Sequence, residues 1–266
     1  MPRPASQEFA ITRLSGGDPP SPVRDAVAAE EPLEIRVEGR SVAVVMRTPG
    51  HDRELAAGFL LSEGVIRSAG DVFEISECPA AEGAARGNVV DVFLRQPDPA
   101  ALEKLTRHVF SASSCGICGK ATIDSVFAHF PPVDPEPEPD RGVILSLPGK
   151  LREAQAAFDQ TGGLHASGLF SRGGDLLCLR EDVGRHNALD KVIGRALLDG
   201  DLPLSGRLLL VSGRVSFEIM QKALAARLPV VAAISAPSSL AVEFARGSGQ
   251  RLIGFLRGDR MNVYSP

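Results

Sequence analysis

Three unbroken aliphatic runs lie in the C-terminal part of the chain: RLLLV at 207–211, VVAAI at 230–234 and RLIGFL at 251–256. Runs of this kind are typical of strands that are buried on both faces. The intervening segments, 217–227 and 240–246, have helical patterns. Strands alternating with helices predict the α/β class, with a largely parallel sheet that is covered on both sides.

The same alternation extends towards the N-terminus. The pattern predicts strands at 143–147 and 176–180 and helices at 151–160 and 185–198. We therefore expect one α/β domain over residues 109–266. Residues 30–108 predict a small α+β domain. It begins with a hairpin of two strands, 33–37 and 41–46, and a helix that starts near Asp52. Two further strands, 72–76 and 89–95, and a short closing helix, 100–108, complete it.

Two segments predict no regular structure. Residues 1–29 are rich in Pro, Ser, Ala and charge, and we expect a flexible tail there. Residues 131–140 alternate proline with acidic residues, a composition that sustains neither a helix nor a central strand. An exposed, extended loop is expected at that point.

Composition excludes several classes of protein. The chain has 266 residues, 44% of them hydrophobic, and a formal net charge of −4. That charge argues against a general nucleic-acid binder, which needs concentrated positive charge. No apolar run is long enough to span a membrane, and the N-terminus lacks the apolar core of a secretory signal. We expect a cytoplasmic protein with no membrane partner.

The chemistry of the chain centres on SSCGICGK at residues 113–120, where Cys115 and Cys118 lie in a glycine frame. The apolar residues that follow have helical spacing: Ile123, Val126, Phe127 and Phe130. The positive end of that helix and the charge of Lys120 should lower the pKa of a thiol there. We predict a nucleophilic thiolate.

Several uses of this pair are possible. A structural zinc site usually needs four ligands, but Cys78 and Cys178 are single and distant. Cys178 lies in an apolar run that predicts a strand and a buried thiol. A thioredoxin-type dithiol normally follows the first strand of a compact βαβ unit. What remains is a cysteine that carries sulfur as a persulfide, with Cys118 assisting by thiol–disulfide exchange, and no bound metal.

Ligands of α/β proteins bind at the carboxyl ends of the strands. Ser212, Gly213 and Arg214 follow one predicted strand, and residues 235–239 follow the next. These segments could hold a phosphate, or their serines could cap helices. At the end of the last strand, Arg257 and Arg260 could pair with a pyrophosphate and Asp259 could read guanine, unless the segment is a solvated turn.

Polar residues also gather between Arg180 and Lys191. His186 and Asp190 are four positions apart on the predicted helix and could form a proton shuttle, or an ordinary solvated face. His165 lies in a glycine-rich stretch, where it could serve chemistry or only close a tight loop.

Four blocks together resemble the formate dehydrogenase accessory sulfurtransferase family (FdhD). They are CGICG at 115–119, TGGLHAS at 161–167, EDVGRHNALDK at 181–191 and SGRVSFE at 212–218. The resemblance extends from about residue 30 to the C-terminus. It implies a cytidine deaminase-like C-terminal domain, a homodimer, and a persulfide on Cys115.

The resemblance also implies partners and a substrate. Sulfur would come from a cysteine desulfurase and pass to the molybdenum bis(molybdopterin guanine dinucleotide) cofactor of formate dehydrogenase. The family's cofactor-binding stretch corresponds here to Phe255, Leu256, Arg257, Gly258, Asp259 and Arg260. With Ser212, Gly213, Arg214 and His186 added as candidates, we expect GDP to bind as a partial mimic of the cofactor.

Two alternatives remain. A zinc deaminase would need His-x-Glu before its Pro-Cys-x-x-Cys segment, and the chain has no His-x-Glu before Cys115. A non-catalytic chaperone that only holds the molybdenum cofactor would never carry covalent sulfur on Cys115. That difference separates the chaperone from the sulfurtransferase.

Overall fold

The structure, a computed structural model, describes residues 3–17, 19–77, 87–100, 102, 105 and 126–266. Its strands are β1 Ser6–Arg13, β2 Ser21–Ala28, β3 Glu31–Val37, β4 Arg40–Arg47, β5 Val72–Glu77, β6 Val89–Leu94, β7 His165–Phe170, β8 Leu176–Asp182, β9 Leu208–Val211, β10 Val230–Ala233, β11 Arg251–Arg257 and β12 Arg260–Val263. Its α-helices are α1 Asp52–Ser62, α2 Arg141–Ala154, α3 Ala156–Thr161, α4 Arg185–Asp199, α5 Phe217–Ala225 and α6 Ser239–Ser248.

A six-stranded sheet in the order β12-β11-β10-β9-β7-β8 forms the C-terminal part. The predicted runs β9, β10 and β11 are adjacent and parallel. The prediction of a largely parallel sheet is only partly right, because β7, β8 and β12 pair antiparallel with their neighbours. β7 and β8, like β11 and β12, are joined by turns too short for a parallel crossover.

Both faces of this sheet are covered, as the unbroken aliphatic runs predict. Along β9, Leu208 and Leu210 belong to a core that includes residues of α2. Leu209 and Val211 belong to the larger core, which includes residues of α1, α4, α5 and α6. Successive side chains of a strand point to opposite faces, so one aliphatic run stabilises both layers.

The N-terminal part is built on a four-stranded sheet in the order β4-β3-β6-β5. The predicted hairpin is confirmed, since β3 and β4 pair antiparallel. The helix predicted from Asp52 is α1, and it packs across α4 of the C-terminal part. Gly58 and Gly194 face the partner backbone at that crossing. The two parts consequently share one hydrophobic core.

Residues 143–147, predicted as a strand, belong to helix α2. Asp140 caps this helix by accepting a hydrogen bond from the backbone N–H of Val143 at 3.0 Å. Ile144, Leu147 and Leu151 then lie on one buried face at helical spacing. The short apolar run alone did not distinguish a buried helix from a strand, and the strand prediction is wrong.

The prediction of an unstructured tail over residues 1–29 is also wrong for most of that segment. β1 and β2 pair antiparallel along their whole length. Ion pairs between Arg24 and Glu8 and between Arg13 and Asp25 support the ladder. Both faces of the ribbon are largely exposed, so cross-strand pairing holds the two strands together without a buried apolar face.

Other predicted elements have mixed outcomes. Residues 131–140 form a mostly exposed segment without regular structure, which confirms the predicted loop. Of the helix predicted at 100–108, the structure describes only residues 100, 102 and 105, which are helical, and the first part of the helix after Lys120 lies outside the described residues. In the described part of the chain, no helix is both long enough and apolar enough to cross a membrane.

Candidate functional site

The candidate site lies at one edge of the six-stranded sheet, which we call the carboxyl edge. The parallel strands β9, β10 and β11 all end there. Because β7 runs antiparallel to β9, its first residue, His165, lies at the same edge, opposite Asp182 at the end of β8. Loops from five strands therefore meet in one region, as expected for an α/β ligand site.

The segment after β9 is held against β7. The amide of Ser212 donates to the carbonyl of Ala166, and the Ser212 hydroxyl accepts from the Ala166 amide at 2.9 Å. The amide of Ser212 is therefore not free for a phosphate, and its hydroxyl bonds Ala166 and does not cap a helix. Gly213 is buried beside His165, whereas Arg214 is exposed.

The serine of the segment after β10 has a structural role. Ser238 caps α6 by accepting a hydrogen bond from the Ala241 amide at 3.2 Å. Val215 and Pro237 form a bridge that ties the β9 and β10 segments together. The helix-capping alternative is confirmed for Ser238, and the bridge stabilises the carboxyl edge.

Phe255 at the end of β11 is conformationally unusual. Its φ of 52° lies in the left-handed region, where a bulky side chain is strained. It interrupts the pairing of β11 with β12, and its amide donates to the carbonyl of Ser235 at 3.0 Å. The result is a phenylalanine side chain that is 40% exposed at the carboxyl edge.

The rest of the predicted cofactor-binding stretch divides between core and surface. Leu256 is fully buried in the core. Arg257 is exposed and donates from Nε to the carbonyl of Ile234 at 2.9 Å, which directs its side chain along the end of β10. Gly258 and Asp259 form the turn between β11 and β12, and Asp259 and Arg260 are exposed.

His186 lies in the first turn of α4. Its Nε2 is 3.3 Å from the Ser216 hydroxyl. Burial and the positive charges of Arg185 and Lys222 lower the pKa of His186 to about 4. The predicted shuttle with Asp190 does not form. Asp190 is buried and bonds Ser62 and Lys222, so the polar side of α4 is not the solvated face that was the alternative.

His165 is the first residue of β7 and is half-buried. Burial and the charge of Arg185 lower the pKa of His165, while Asp182 acts weakly in the opposite direction. Both histidines of the carboxyl edge are therefore neutral imidazoles near pH 7.

A buried ion pair fixes the start of α4, and sequence reasoning missed it. Lys191 donates to Asp182 at 2.6 Å and to the carbonyl of Thr48 at 2.8 Å, and both charged side chains are fully buried. Asp182 also accepts from the Thr48 amide at 3.1 Å. Thr48 is far away in the chain, and no local spacing connects it with Asp182 or Lys191. These contacts join the N-terminal part to the carboxyl edge.

The cysteines are described only in part. Cys115, Cys118 and Cys78 lie outside the described residues. Cys178 is a free, half-buried thiol in β8, and burial raises its pKa, in agreement with the predicted inert thiol. Among the described residues, no group of three or more His, Cys, Asp or Glu side chains could hold a metal ion.

Known proteins share this architecture. The structure superposes with a TM-score of 0.77 on the crystal structure of a protein from Desulfotalea psychrophila, provisionally described as a formate dehydrogenase accessory protein. That match covers 99% of this chain and 98% of the other, at 26% identity. The FdhD/NarQ family model matches residues 28–266. The chain therefore belongs to the FdhD/NarQ family.

Curated relatives agree with this family assignment. A protein named sulfur carrier protein FdhD from Streptomyces avermitilis is 54% identical over 252 residues, which covers 91% of this chain and 87% of the relative. A relative with the same name from Mycobacterium tuberculosis is 50% identical, with 91% and 90% covered. The chain thus matches nearly the full length of these proteins, which supports the predicted resemblance.

Proposed function

We propose that this protein is a sulfur carrier that serves formate dehydrogenase. It accepts sulfur from a cysteine desulfurase as a persulfide on Cys115. It then passes that sulfur to the molybdenum bis(molybdopterin guanine dinucleotide) cofactor before the cofactor enters the enzyme. The observation that carries the proposal is the nearly full-length match to sulfur carrier proteins in a chain that contains the CGICG block.

Loading of Cys115 requires no external oxidant. The Cys115 thiolate attacks the outer sulfur of the desulfurase persulfide, forms a new S–S bond and releases the desulfurase cysteine as a thiol. Cys118 is the proposed assisting thiol. Its attack on Cys115 would form a Cys115–Cys118 disulfide and free the carried sulfur as hydrosulfide. Both cysteines lie outside the residues that the structure describes, and their proposed roles rest on the CGICG block.

The carboxyl edge is the proposed binding surface for the nucleotide part of the cofactor. Arg214, Arg257 and Arg260 are exposed there and can pair with phosphates. Asp259 is exposed in a tight turn, where its carboxylate can accept from the N1 and N2 edge of guanine. The exposed Phe255 side chain provides an apolar surface beside these charges.

Variants at the cysteines test the proposed function. Cys115→Ala should abolish activation of formate dehydrogenase in a strain that lacks this protein, because no persulfide can form. Cys118→Ala should reduce activation partially, since an external thiol can replace a resolving thiol. Cys178→Ala is the matched control, because it removes a half-buried strand thiol, and it should retain activation. An active Cys115→Ala variant would contradict the proposal.

Nucleotide binding tests the assignment of Asp259. Calorimetry should show that GDP binds to the full chain and that ADP binds more weakly, since adenine lacks the donors that Asp259 would accept from. Asp259→Asn should remove much of this preference. Equal binding of GDP and ADP, or no GDP binding at millimolar concentration, would eliminate Asp259 as a guanine reader.

We further propose that the protein is a homodimer. Sedimentation at equilibrium reports the oligomeric state directly.

Covalent sulfur on Cys115 distinguishes the sulfur carrier from the two alternative functions. A zinc deaminase would contain stoichiometric zinc and lose activity to a chelator. A non-catalytic chaperone would bind GDP and support formate dehydrogenase, but it would retain its function after Cys115→Ala.

A further inference from the structure

The described chain on the C-terminal side of the cysteine motif begins with a helical turn at residues 126–129, which we call the anchor turn. It belongs to the helix that the sequence predicts after Lys120. Val126 is buried in the larger core, and Phe127 is half-buried against it. The anchor turn is therefore the described structure that lies nearest to Cys118 along the chain in this direction.

The ring of Phe127 docks on α6. It stacks on Phe244, with the ring centroids 5.1 Å apart and the planes inclined by 27°. Phe244 is fully buried and also meets Phe217 edge-on, at 5.2 Å. Both are favourable geometries for aromatic pairs. Phe217 is the first residue of α5 and directly follows Ser216, which bonds His186. One buried aromatic cluster thus joins the anchor turn to the carboxyl edge.

Gly247 of α6 lets this ring approach the helix. A Cβ at Gly247 would lie 3.2 Å from both Cε2 and Cζ of Phe127, which is closer than ordinary van der Waals contact. Glycine inside a helix is less favourable than alanine. The cost is explained here by the ring, which packs directly against the backbone of α6 where a side chain would otherwise be.

Hydrogen bonds hold the chain just after the anchor turn. The Arg227 guanidinium donates to the carbonyls of Pro131 and Pro132, the latter at 3.0 Å. The Val133 amide donates to the carbonyl of Ser248, at the end of α6, at 2.9 Å. The anchor turn is consequently fixed from two directions, by its docked ring and by the chain that follows it.

We propose that Phe127 and Gly247 are positioning residues for the sulfur-carrying cysteine. Docking of the anchor turn on α6 sets the direction of the helix predicted after Lys120, whose positive end would stabilise the Cys115 thiolate. Both residues would act through that helix and not by contact with the sulfur. This inference rests on the proposed function for the role of Cys115.

The same substitution at two helical glycines separates positioning from stability. Gly247→Ala crowds Phe127, whereas a Cβ at Gly149 in α2 has nothing within 4 Å. Alanine favours both helices, so neither variant should lose much stability in thermal unfolding. In a Cys118→Ala background, alkylation of Cys115 by iodoacetamide is followed by the mass of its peptide. The rate at pH 7 should fall in Gly247→Ala and stay unchanged in Gly149→Ala.

Phe127→Ala removes the docked ring and should have the larger effect. The pKa of the Cys115 thiol should rise, and alkylation at pH 7 should slow about two- to fivefold, the size of a helix-dipole contribution. Sulfur loading needs an aligned attack and should slow roughly ten- to a hundredfold. Phe127→Leu keeps an apolar contact and should restore much of both rates. Phe93→Ala, at a half-buried phenylalanine of β6, is the control and should retain both.

The pH dependence of alkylation decides the outcome. A residue that only stabilises the core would change the unfolding temperature and leave the apparent pKa of Cys115 unchanged. An alkylation profile of Gly247→Ala that coincides with that of Gly149→Ala would overturn the inference, even if Phe127→Ala does not fold. If the wild type gains no sulfur from a desulfurase, the proposed function fails, but the alkylation profiles still test the positioning.

Discussion

At the scale of single residues, buried charges organise the polar side of α4. Asp190 accepts two hydrogen bonds from Lys222 of α5, at 2.8 and 3.0 Å, and one from Ser62 of α1. Breaking such a pair typically costs about 3–5 kcal/mol, because one charge would stay buried without its partner. This explains why Asp190 is not available to His186, although their spacing of four positions favours a contact.

His186 makes stability depend on pH. Its pKa is about 4 in the folded protein and near the ordinary 6.5 in the unfolded chain. Between those values the unfolded chain binds a proton that the folded protein does not, so the contribution of His186 is complete above pH 6.5 and is lost as pH falls towards 4. We expect the free energy of unfolding to fall by about 3 kcal/mol over this window because of His186.

Urea unfolding at pH 7 and pH 5 checks this expectation. His186→Gln cannot take up the proton, so it should lose less stability between the two pH values than the wild type does. His129→Gln, a change at an exposed histidine, serves as the control and should follow the wild type. Identical losses in wild type and His186→Gln would show that His186 titrates normally.

At the scale of elements, the crossing of α1 and α4 joins the two parts of the molecule. A Cβ on Gly58 would lie 1.9 Å from the carbonyl oxygen of Asp190, and one on Gly194 would lie 1.8 Å from that of Glu54. Both distances are far below any tolerated contact, and backbone atoms cannot move aside. The two helices can therefore approach this closely only with glycine at both positions.

Gly58→Ala should destabilise the protein by about 3 kcal/mol or more, as expected when a rigid, well-packed contact is overfilled. Gly149→Ala in α2 is the matched control, because nothing lies within 4 Å of the added Cβ. That change should be neutral or stabilise by up to about 1 kcal/mol through helix propensity. Denaturant unfolding compares the two variants, and equal stabilities would contradict the close crossing.

Elements with a strong local pattern are those that the sequence predicted well. The aliphatic runs of β9, β10 and β11 and the amphipathic helices α1 and α4 are confirmed. The strand prediction at 143–147 is wrong because a short apolar run fits both a strand and a buried helix. The features that distinguish the helix lie outside the run: the cap at Asp140 and the buried Leu151. β1 and β2 were missed because cross-strand pairing, and not a buried face, holds them.

At the scale of the whole molecule, contacts between distant segments build the site. Asn187 donates to the carbonyl of Met46 at 2.7 Å, and Arg180 pairs with Glu54 at 2.6 Å. Each contact joins a residue at or near the carboxyl edge to the N-terminal part. The structure brings several segments of the sequence blocks together at this edge, but the blocks could not show the part of Thr48, because its contacts with Asp182 and Lys191 depend on the tertiary fold.

Sulfur loading of Cys115 is the central claim, and the mass of the intact protein tests it most directly. The purified chain is incubated with a cysteine desulfurase and cysteine, desalted, and measured with and without a reductant. We predict the gain of one sulfur atom, reversed by the reductant and absent from Cys115→Ala. No gain in mass, or the same gain in Cys115→Ala, would contradict the assignment of Cys115 as the sulfur carrier.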